Sequence, residues 1–352
     1  MHHSKSLLDK LVSIEHLFFS WQHFVRGKEK RKDVQVFARN IEDHLFQLQE
    51  ELEKQTYCHC LYHKFYVFEP KQRFISKACV CDQCVHHMLH NMLSAVYESC
   101  FFFHSYSCRI NKGRHKGGGV NAFVKMLTTA SLNKKRPVYV LKLDIKRFFD
   151  SVDHAFLKSL LRKRISDSKV LQLLDQIIDS FHSSGNHQKG LPLGNVTSQI
   201  FANIYLHELD CFIKHVLKEP FYVRYCDDFV VVSHDKAHLK ALISIINEFL
   251  QNLLFLQIRP QKITLRKWDS GIDFLGYICF PHYKLLRKTT KKRLCKRLSF
   301  GHDNFLVGVG KEEVGCEYEQ DSFDQCLQSY LGILSHANHQ KCIFLSRTKN
   351  TL

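Results

Sequence analysis

The chain has 352 residues, of which 45% are apolar and 24% are charged. Its 51 Lys and Arg residues outnumber 34 Asp and Glu residues, which gives a formal net charge of +17. This balance indicates a polyanionic partner, nucleic acid before membrane, with a merely basic surface as the alternative. No segment approaches the roughly 18 apolar residues of a membrane span, and no apolar signal core begins the chain. We therefore expect a cytoplasmic protein with reduced cysteines and no membrane partner.

Two amphipathic helices are predicted at the N-terminus, over 4–24 and 36–54, because apolar residues recur there at helical intervals. Aromatic and β-branched residues on both sides of Pro70 predict strands, and 82–100 is predicted to be helical. The loop that follows has glycines at 113 and 117–119. It lacks the residue order of a P-loop, so we do not expect that kind of nucleotide binding.

Cysteine and histidine residues cluster between positions 58 and 87. The cluster consists of Cys58, Cys60, Cys79, Cys81, Cys84, His86 and His87. Structural zinc sites prefer paired cysteine knuckles at regular spacing, which this cluster lacks. Buried thiols are therefore the favoured interpretation, and a metal site is the alternative.

The second half of the chain alternates strands and helices. A buried strand ends at Asp144, helix is predicted over 154–182, and "GLPLGNVTSQ" leads into a long helix. A hairpin bearing Asp227 and Asp228, a helix over 235–252 and "GIDFLGYICF" follow. The tail from 283 is predicted to be helical, and 284–297 contains eight Lys or Arg residues and no acid. Interleaved antiparallel hairpins favour an α+β fold over a doubly wound parallel sheet.

Three carboxylates end predicted strands. Asp144 follows one apolar run, and Asp227 and Asp228 follow another, so they converge if the two strands are neighbours. Convergent carboxylates bind hard divalent cations, and two such ions can clamp the attacking and leaving oxygens of a phosphoryl transfer. Mg²⁺ is the expected cation. An Asp-rich surface turn is the alternative for the doublet alone.

The ordered set of Asp144, "LPLGNVTSQ", "YCDD" and "FLGY" resembles the reverse transcriptases, and more closely those of diversity-generating retroelements. The similarity runs from about "FYVFEPKQRFIS" to "SYLGILSHAN". It implies a right-hand polymerase fold with an N-terminal helical extension. The implied units are the extension at 1–55, fingers at 56–140, a palm with the catalytic motifs at 141–278 and a thumb at 279–352. The basic 284–297 segment would be a thumb helix against the template–primer backbone.

The resemblance also implies residue roles. Asp144 and Asp227 would bind two Mg²⁺ ions, with Mn²⁺ as the alternative. Asp228 would complete the acidic cluster, and the backbone carbonyl of Ile145 would add a ligand. Phe149 would screen the 2′ side of the sugar and so favour deoxynucleotides, with an ordinary core aromatic as the alternative.

Further implied contacts concern the incoming nucleotide. Lys71 and Arg73 would contact its triphosphate, where negative charge builds up during transfer. Lys262 would protonate the leaving pyrophosphate, with a plain surface lysine as the alternative. Leu193 would lie against the nucleotide, at a position where most reverse transcriptases carry Gln or Arg.

Two other positions qualify the resemblance. Arg109 is a further candidate cation of the fingers. Gln83 stands where relatives often carry Arg, which puts a basic contact there in doubt.

The implied function is an RNA-directed DNA polymerase of a diversity-generating retroelement, which makes adenine-mutagenised cDNA from a template repeat RNA. Its expected partners are template RNA, cDNA or primer, dNTPs and a basic multimeric accessory protein. One alternative is another bacterial reverse transcriptase, defence-associated or retron-like. A catalytically silent RNA-binding scaffold is the other, although all three candidate metal aspartates are present.

Overall fold

The computed structural model describes residues 7–68, 72–113, 118–183, 185 and 187–293, with the single residues 328, 332 and 337. Lys71 and most of the predicted thumb lie outside these ranges. The helices are α1 (Leu7–Leu11), α2 (Ile14–Val25), α3 (Lys32–Arg39), α4 (Ile41–Glu53), α5 (Val80–Tyr97), α6 (Gly119–Ala130), α7 (Phe148–Ser151), α8 (His154–Arg162), α9 (Ser168–Asp179), α10 (Val196–Cys211) and α11 (Lys236–Asn252). The strands are β1 (His63–Val67), β2 (Arg73–Lys77), β3 (Tyr139–Asp144), β4 (Tyr222–Tyr225), β5 (Asp228–Ser233), β6 (Thr264–Lys267), β7 (Ile272–Phe274), β8 (Tyr277–Cys279) and β9 (Lys284–Leu286).

The N-terminal helices pack on α5, chiefly through α2. Helix α2 buries Leu17, Trp21 and Phe24, and the Trp21 ring stacks on Phe37 of α3 with centroids 5.1 Å apart. Each of the two predicted helices is divided, at Ser13 and at Asn40, which hold the N-cap positions of α2 and α4. Ser and Asn have low helix propensity and are common at such boundaries, although neither side chain makes a capping hydrogen bond here. The predicted helical extension is confirmed over its described residues.

Strands β1 and β2 form a separate antiparallel hairpin, in which Val67 pairs with Arg73. Strand β1 is exposed along its whole length, whereas β2 buries Ser76. Helix α5 begins directly after β2, and the Cys79 thiol caps it by accepting a hydrogen bond from the Asp82 N–H. The base of the hairpin is thereby joined to the start of a largely buried helix.

A four-stranded antiparallel sheet in the order β4-β5-β3-β6 forms the centre of the molecule. Alternate residues of β5 enter different cores: Val231 lies in the cluster with α11, and Val230 and Val232 lie in the cluster with α6. Both faces are therefore covered by helices, which explains why β3 and β5 read as nearly continuous apolar runs.

The predicted helix over 154–182 is two helices, α8 and α9. Asp167 ends the connection between them, since its carboxylate accepts hydrogen bonds from the N–H groups of Lys169 and Val170 and caps α9. Helix α11, which follows the β4–β5 hairpin, is also capped at its N-terminus by an aspartate carboxylate, that of Asp235. Helix α10 continues into a π-helical turn, Phe212–Val216.

Strands β7, β8 and β9 form a third antiparallel sheet. The prediction of helix from residue 283 is wrong over Lys284–Leu286, which pairs with Tyr277–Cys279. Burial explains the difference, because Leu286 is buried in the same cluster as Tyr277. Helix begins at Lys288, and the described part of the basic segment ends at residue 293. The predicted palm–thumb boundary at 278 falls within this sheet.

The mixture of helices with antiparallel sheets confirms the predicted α+β class. No helix in the described ranges has both the length and the apolar character of a membrane span.

Candidate active site

The three predicted metal aspartates meet at one end of the central sheet. Asp144, the last residue of β3, is directly opposite Asp228, the first residue of β5. Tyr225 also pairs with Asp228, so Cys226 and Asp227 form the two-residue connection between β4 and β5. The N–H of Ile145 donates to the carbonyl oxygen of Asp227 at 3.3 Å. The structure therefore brings together all four residues predicted to surround the metal.

A buried ion pair supports the two-residue connection between β4 and β5. Cys226 has a left-handed backbone (φ 57°), which is unfavourable for a residue with a side chain. The Arg224 guanidinium donates from Nη1 to the Cys226 carbonyl oxygen at 3.2 Å and pairs with Asp210 of α10. Tyr222 donates its hydroxyl to the same carboxylate at 2.7 Å. This network orients the turn that carries Asp227.

Lysine side chains compensate part of the negative charge. The Lys262 ammonium lies 2.6 Å from Oδ2 of Asp144, and the Lys142 ammonium lies 2.9 Å from Oδ2 of Asp228. Burial raises the pKa of Asp227, and the negative charge of Asp144 raises it further. Burial also raises the pKa of Asp228, against the opposing effect of Lys142. Burial is the main cause in both cases, and additional positive charge beside the doublet would favour its ionised form.

Phe148 and Phe149, which follow Asp144 in the sequence, differ in burial. Phe148 is buried in the main core, whereas Phe149 is half-buried with its ring 5.4 Å from that of Phe148 in an edge-on contact. The Phe149 carbonyl oxygen accepts a hydrogen bond from the N–H of Leu191 at 2.7 Å. The aromatic turn after Asp144 thus contacts the "LPLGN" loop.

The "LPLGN" loop is attached to the base of the β1–β2 hairpin, called the fingers hairpin here after the predicted unit in which it lies. The carbonyl oxygen of Leu193, whose side chain is half-buried, accepts a hydrogen bond from the N–H of Ser76 at 2.8 Å. Gly194 has φ +120°, and a Cβ there would lie 2.9 Å from Cγ2 of Ile75. Only glycine fits this backbone and this close approach.

Asn195 completes the connection with three buried hydrogen bonds. Its Oδ1 accepts hydrogen bonds from the backbone N–H of Ala78 at 3.1 Å and from Nε2 of Gln83 at 2.9 Å. Its Nδ2 donates to the carbonyl oxygen of Ser76 at 3.0 Å. Gln83 is buried, so this departure from the family pattern has a structural role. Sequence reasoning missed Asn195 because its partners are more than a hundred positions away.

The predicted cations of the fingers divide into two groups. Arg73 is exposed at the start of β2, and Lys71 lies outside the described residues. Arg109 donates to Glu98 Oε1 at 3.0 Å and to the Phe102 carbonyl oxygen at 2.7 Å. These bonds hold the loop after α5, and the role of Arg109 as a cation of the fingers stays a prediction.

A comparison with known proteins settles the family. Residues 63–279 match the family described as reverse transcriptase (RNA-dependent DNA polymerase). The chain belongs to the reverse transcriptase family. This match covers the hairpin, the central sheet and the three aspartates, and it confirms the predicted right-hand polymerase fold.

Several proteins are similar to this reverse transcriptase over part of its length. Protein YkfC of Escherichia coli (strain K12) is 25% identical over 246 residues, 60% of this chain and 62% of YkfC. Group II intron-encoded protein LtrA of Lactococcus lactis subsp. cremoris is 29% identical over 38% of this chain and 21% of LtrA. An uncharacterized 91 kDa protein in the cob intron of Schizosaccharomyces pombe is 32% identical over 39% of this chain and 16% of that protein. The chain therefore spans less than two thirds of each of these relatives.

Among solved structures, telomerase from Candida albicans in complex with a TWJ fragment of telomeric RNA is similar to 73% of this chain. The aligned part is 50% of that chain, with a TM-score of 0.49 and 13% sequence identity.

The donor set of this reverse transcriptase suits a hard divalent cation. Oδ1 of Asp228 is buried and has no hydrogen-bond partner among the described residues. It is an oxygen ligand of the kind that Mg²⁺ prefers. Within the described ranges, however, the oxygens of Asp144, Asp227 and Asp228 do not all lie within 4.8 Å of one another. Lys262 and Lys142 each occupy one oxygen of Asp144 and Asp228, so cation binding requires these side chains to rearrange.

Lys142 is a charged neighbour of the site that sequence reasoning missed. A signal was present, because residues two apart on a strand share a face, and Lys142 stands two positions before Asp144. Sequence reasoning also missed Arg259 as a neighbour of the site. Its backbone N–H donates to the Asp144 carbonyl oxygen at 2.8 Å, and its side-chain Nε lies 3.7 Å from Oδ1 of Asp144.

Proposed function

We propose that the chain is an RNA-directed DNA polymerase that extends a primer on template RNA by nucleotidyl transfer. The observation that carries this proposal is the pairing of Asp144 with Asp228, with Asp227 in the adjoining turn. Family membership supports the same reaction. The proposed cofactor is a pair of Mg²⁺ ions, with Mn²⁺ as the alternative, held by the three carboxylates and the Ile145 carbonyl. When bound, such ions neutralise charge on the reacting phosphate and align the attacking oxygen.

The chain's own residues have the remaining roles. Lys262 lies within hydrogen-bond distance of Asp144 and is half-exposed, so its ammonium can turn towards a leaving pyrophosphate and donate a proton. Arg73, with Lys71, would bind the triphosphate. Phe149 would exclude a 2′-hydroxyl, and Leu193 would contact the incoming nucleotide from the opposite loop.

The finer proposal is that this polymerase serves a diversity-generating retroelement. The "LPLGN" loop supports it, because Leu193 offers only an apolar surface where a polar side chain would brace the new base pair. The net charge of +17 supports binding of template RNA. A basic multimeric accessory protein is the proposed protein partner. A defence-associated or retron-like reverse transcriptase remains the second candidate.

The test of polymerase activity is primer extension on an RNA template with dNTPs and Mg²⁺. We expect Asp227→Asn and Asp144→Asn to reduce the rate by at least about 10³-fold, since a lost metal ligand removes several kcal/mol of transition-state stabilisation. RNA binding, measured by filter retention, should stay unchanged. Asp269→Asn is the control because that carboxylate is exposed in a surface ion pair.

Activity of Asp227→Asn within a few-fold of wild type would refute the assignment. A wild-type chain that binds RNA but never extends a primer would instead support the RNA-binding scaffold. Sequencing of the cDNA separates the two reverse transcriptase candidates: errors concentrated opposite template adenines support the retroelement enzyme, and an even error spectrum contradicts it.

A further inference from the structure

Three metal-ligating groups meet at the base of the fingers hairpin, on elements other than the strands that carry the three aspartates. The thiols of Cys60 and Cys79 and a carboxylate oxygen of Asp82 all lie within 4.8 Å of one another. Cys60 precedes β1, Cys79 caps α5, and Asp82 is in the first turn of α5. The closed hairpin therefore brings residue 60 back to residues 79 and 82.

Asp82 is a buried carboxylate with little compensating charge. Its side chain is 1% exposed; Oδ1 accepts the Tyr57 hydroxyl at 2.7 Å and Oδ2 accepts the Cys60 N–H at 3.1 Å. Among the described residues, the basic group within ion-pair distance is His59, with Nδ1 3.6 Å from Oδ2. A buried carboxylate in such surroundings is stabilised by a bound cation.

The neighbouring histidines already have hydrogen-bond partners. His59 Nδ1 lies 2.6 Å from the Cys60 carbonyl oxygen, His59 Nε2 lies 3.1 Å from His86 Nε2, and His86 Nδ1 lies 2.6 Å from Thr197 Oγ1. Burial lowers the pKa of His86 to about 3, so that ring is neutral. A carbonyl oxygen can only accept a hydrogen bond, so the contact with the Cys60 carbonyl assigns a proton to Nδ1 of His59. The histidines orient the cluster and leave the thiols and Asp82 as its open ligands.

We propose that Cys60, Cys79 and Asp82 bind one Zn²⁺ ion, which ties the segment before β1 to the first turn of α5. Two sulfurs and one carboxylate oxygen form a ligand set that suits Zn²⁺ better than Mg²⁺. Tetrahedral zinc places such ligand atoms roughly 3.3–3.8 Å apart, so a small rotation of the exposed Cys60 side chain completes the site. The fourth position is open to water.

The earlier interpretation of this cluster as buried thiols is wrong for Cys58 and Cys60, which are exposed. The proposed ligands come from the two ends of a hairpin and not from one short turn, so regular knuckle spacing is not expected for this site. Zinc binds cysteine as the thiolate, so zinc binding should release protons and weaken as pH falls.

The site has a structural consequence for the polymerase body. Helix α5 also carries Gln83 and His86, which bond to Asn195 and Thr197 at the start of α10. A metal that holds the first turn of α5 would therefore stiffen the joint between the fingers hairpin and the "LPLGN" loop. This inference is independent of the proposed polymerase activity, because it concerns different residues and a different metal.

The test is direct measurement of bound zinc in the untagged full chain. The chain is reduced, incubated with Zn²⁺ and dialysed against excess Mg²⁺, and its metal content is determined by mass spectrometry. We expect one Zn²⁺ per chain in wild type and in Cys58→Ser, which removes an exposed thiol two residues away. Cys60→Ser and Asp82→Asn should weaken Zn²⁺ affinity by at least about 100-fold, because each removes a ligand and loss of an outer-shell partner alone already costs roughly 10–100-fold. Asp227→Asn should keep the ion, which separates this site from the polymerase site.

Two further measurements keep the outcome decisive. Co²⁺ bound to the wild-type chain should show a thiolate-to-metal charge-transfer band that is absent in Cys60→Ser, and circular dichroism should show that this variant is folded. A wild-type chain without zinc would overturn the proposal, as would equal losses in Cys58→Ser and Cys60→Ser. Detection of two missing thiols without bound metal would also overturn the proposal, because it would indicate a Cys60–Cys79 disulfide in place of a zinc site.

Discussion

The guanidinium of Arg224 donates two hydrogen bonds to the carboxylate of Asp210, from Nε at 2.7 Å and from Nη2 at 2.6 Å, and both side chains are fully buried. The pair joins β4 to α10 and also reaches the carbonyl oxygen of Cys226. It therefore supports the turn that presents Asp227. Such a buried ion pair is stable only while both partners are present.

Removal of one partner should be costly. We expect Arg224→Met to lower the free energy of unfolding by about 3–5 kcal/mol, because Asp210 is left buried and uncompensated. The double variant Arg224→Met/Asp210→Leu should recover part of this loss. Urea unfolding at neutral pH measures both. The pair Lys158–Asp179, whose carboxylate is 56% exposed, is the control, and Lys158→Met should cost less than about 1 kcal/mol. Equal costs for Arg224→Met and Lys158→Met would contradict this prediction.

The raised pKa of Asp227 predicts a conflict between stability and activity. A carboxyl group with a higher pKa in the folded state binds its proton more tightly there than in the unfolded chain. The folded state therefore loses stability as pH rises from the ordinary value of 3.8 through the folded pKa. In metal-free buffer, Asp227→Asn should raise the free energy of unfolding at pH 7, although it abolishes activity.

Thermal unfolding as a function of pH tests this conflict. The advantage of Asp227→Asn should shrink as pH falls below the ordinary carboxyl pKa, where the wild-type side chain is protonated as well. Asp269→Asn controls for loss of an exposed charge. A stability difference that is the same at every pH would show that ionisation of Asp227 is not its cause.

Phe149→Ala should admit ribonucleotides. The half-buried ring is proposed to lie beside the sugar 2′ carbon, and its removal opens space for a hydroxyl. The ratio of rNTP to dNTP incorporation efficiency should rise at least about tenfold, which corresponds to 1.4 kcal/mol of lost discrimination. Phe149→Tyr keeps the ring and should keep the ratio low. An unchanged ratio in an active Phe149→Ala enzyme would identify the ring as ordinary core.

Leu193→Gln should improve fidelity, most of all opposite template adenine. A polar side chain can hydrogen-bond to the nascent pair and restore discrimination, by roughly tenfold per 1.4 kcal/mol. Single-nucleotide kinetics on matched templates measures misincorporation opposite each base. Leu193→Met preserves volume and apolar character, so its error ratios should match the wild type. Equal ratios for the Gln and Met variants, with activity preserved, would exclude Leu193 as a determinant of fidelity.

The type and order of most elements followed from the sequence, because hydrophobic periodicity is a local property of the chain. Helices α5, α10 and α11 and the β4–β5 hairpin lie close to their predicted positions. The meeting of Asp144 with the doublet was also predictable, since each follows an apolar strand and buried strands pair. Errors arose where local patterns compete with burial, as at Lys284–Leu286, where a basic segment pairs as a strand because Leu286 enters the core.

Only the tertiary structure decided which polar groups meet. Asn195 bonds to Ala78 and Gln83, and Cys60 approaches Cys79 and Asp82. No periodicity encodes these contacts. They arise because packing of the apolar faces brings distant segments together, and the buried polar groups must then find partners among whatever side chains and backbone atoms lie beside them.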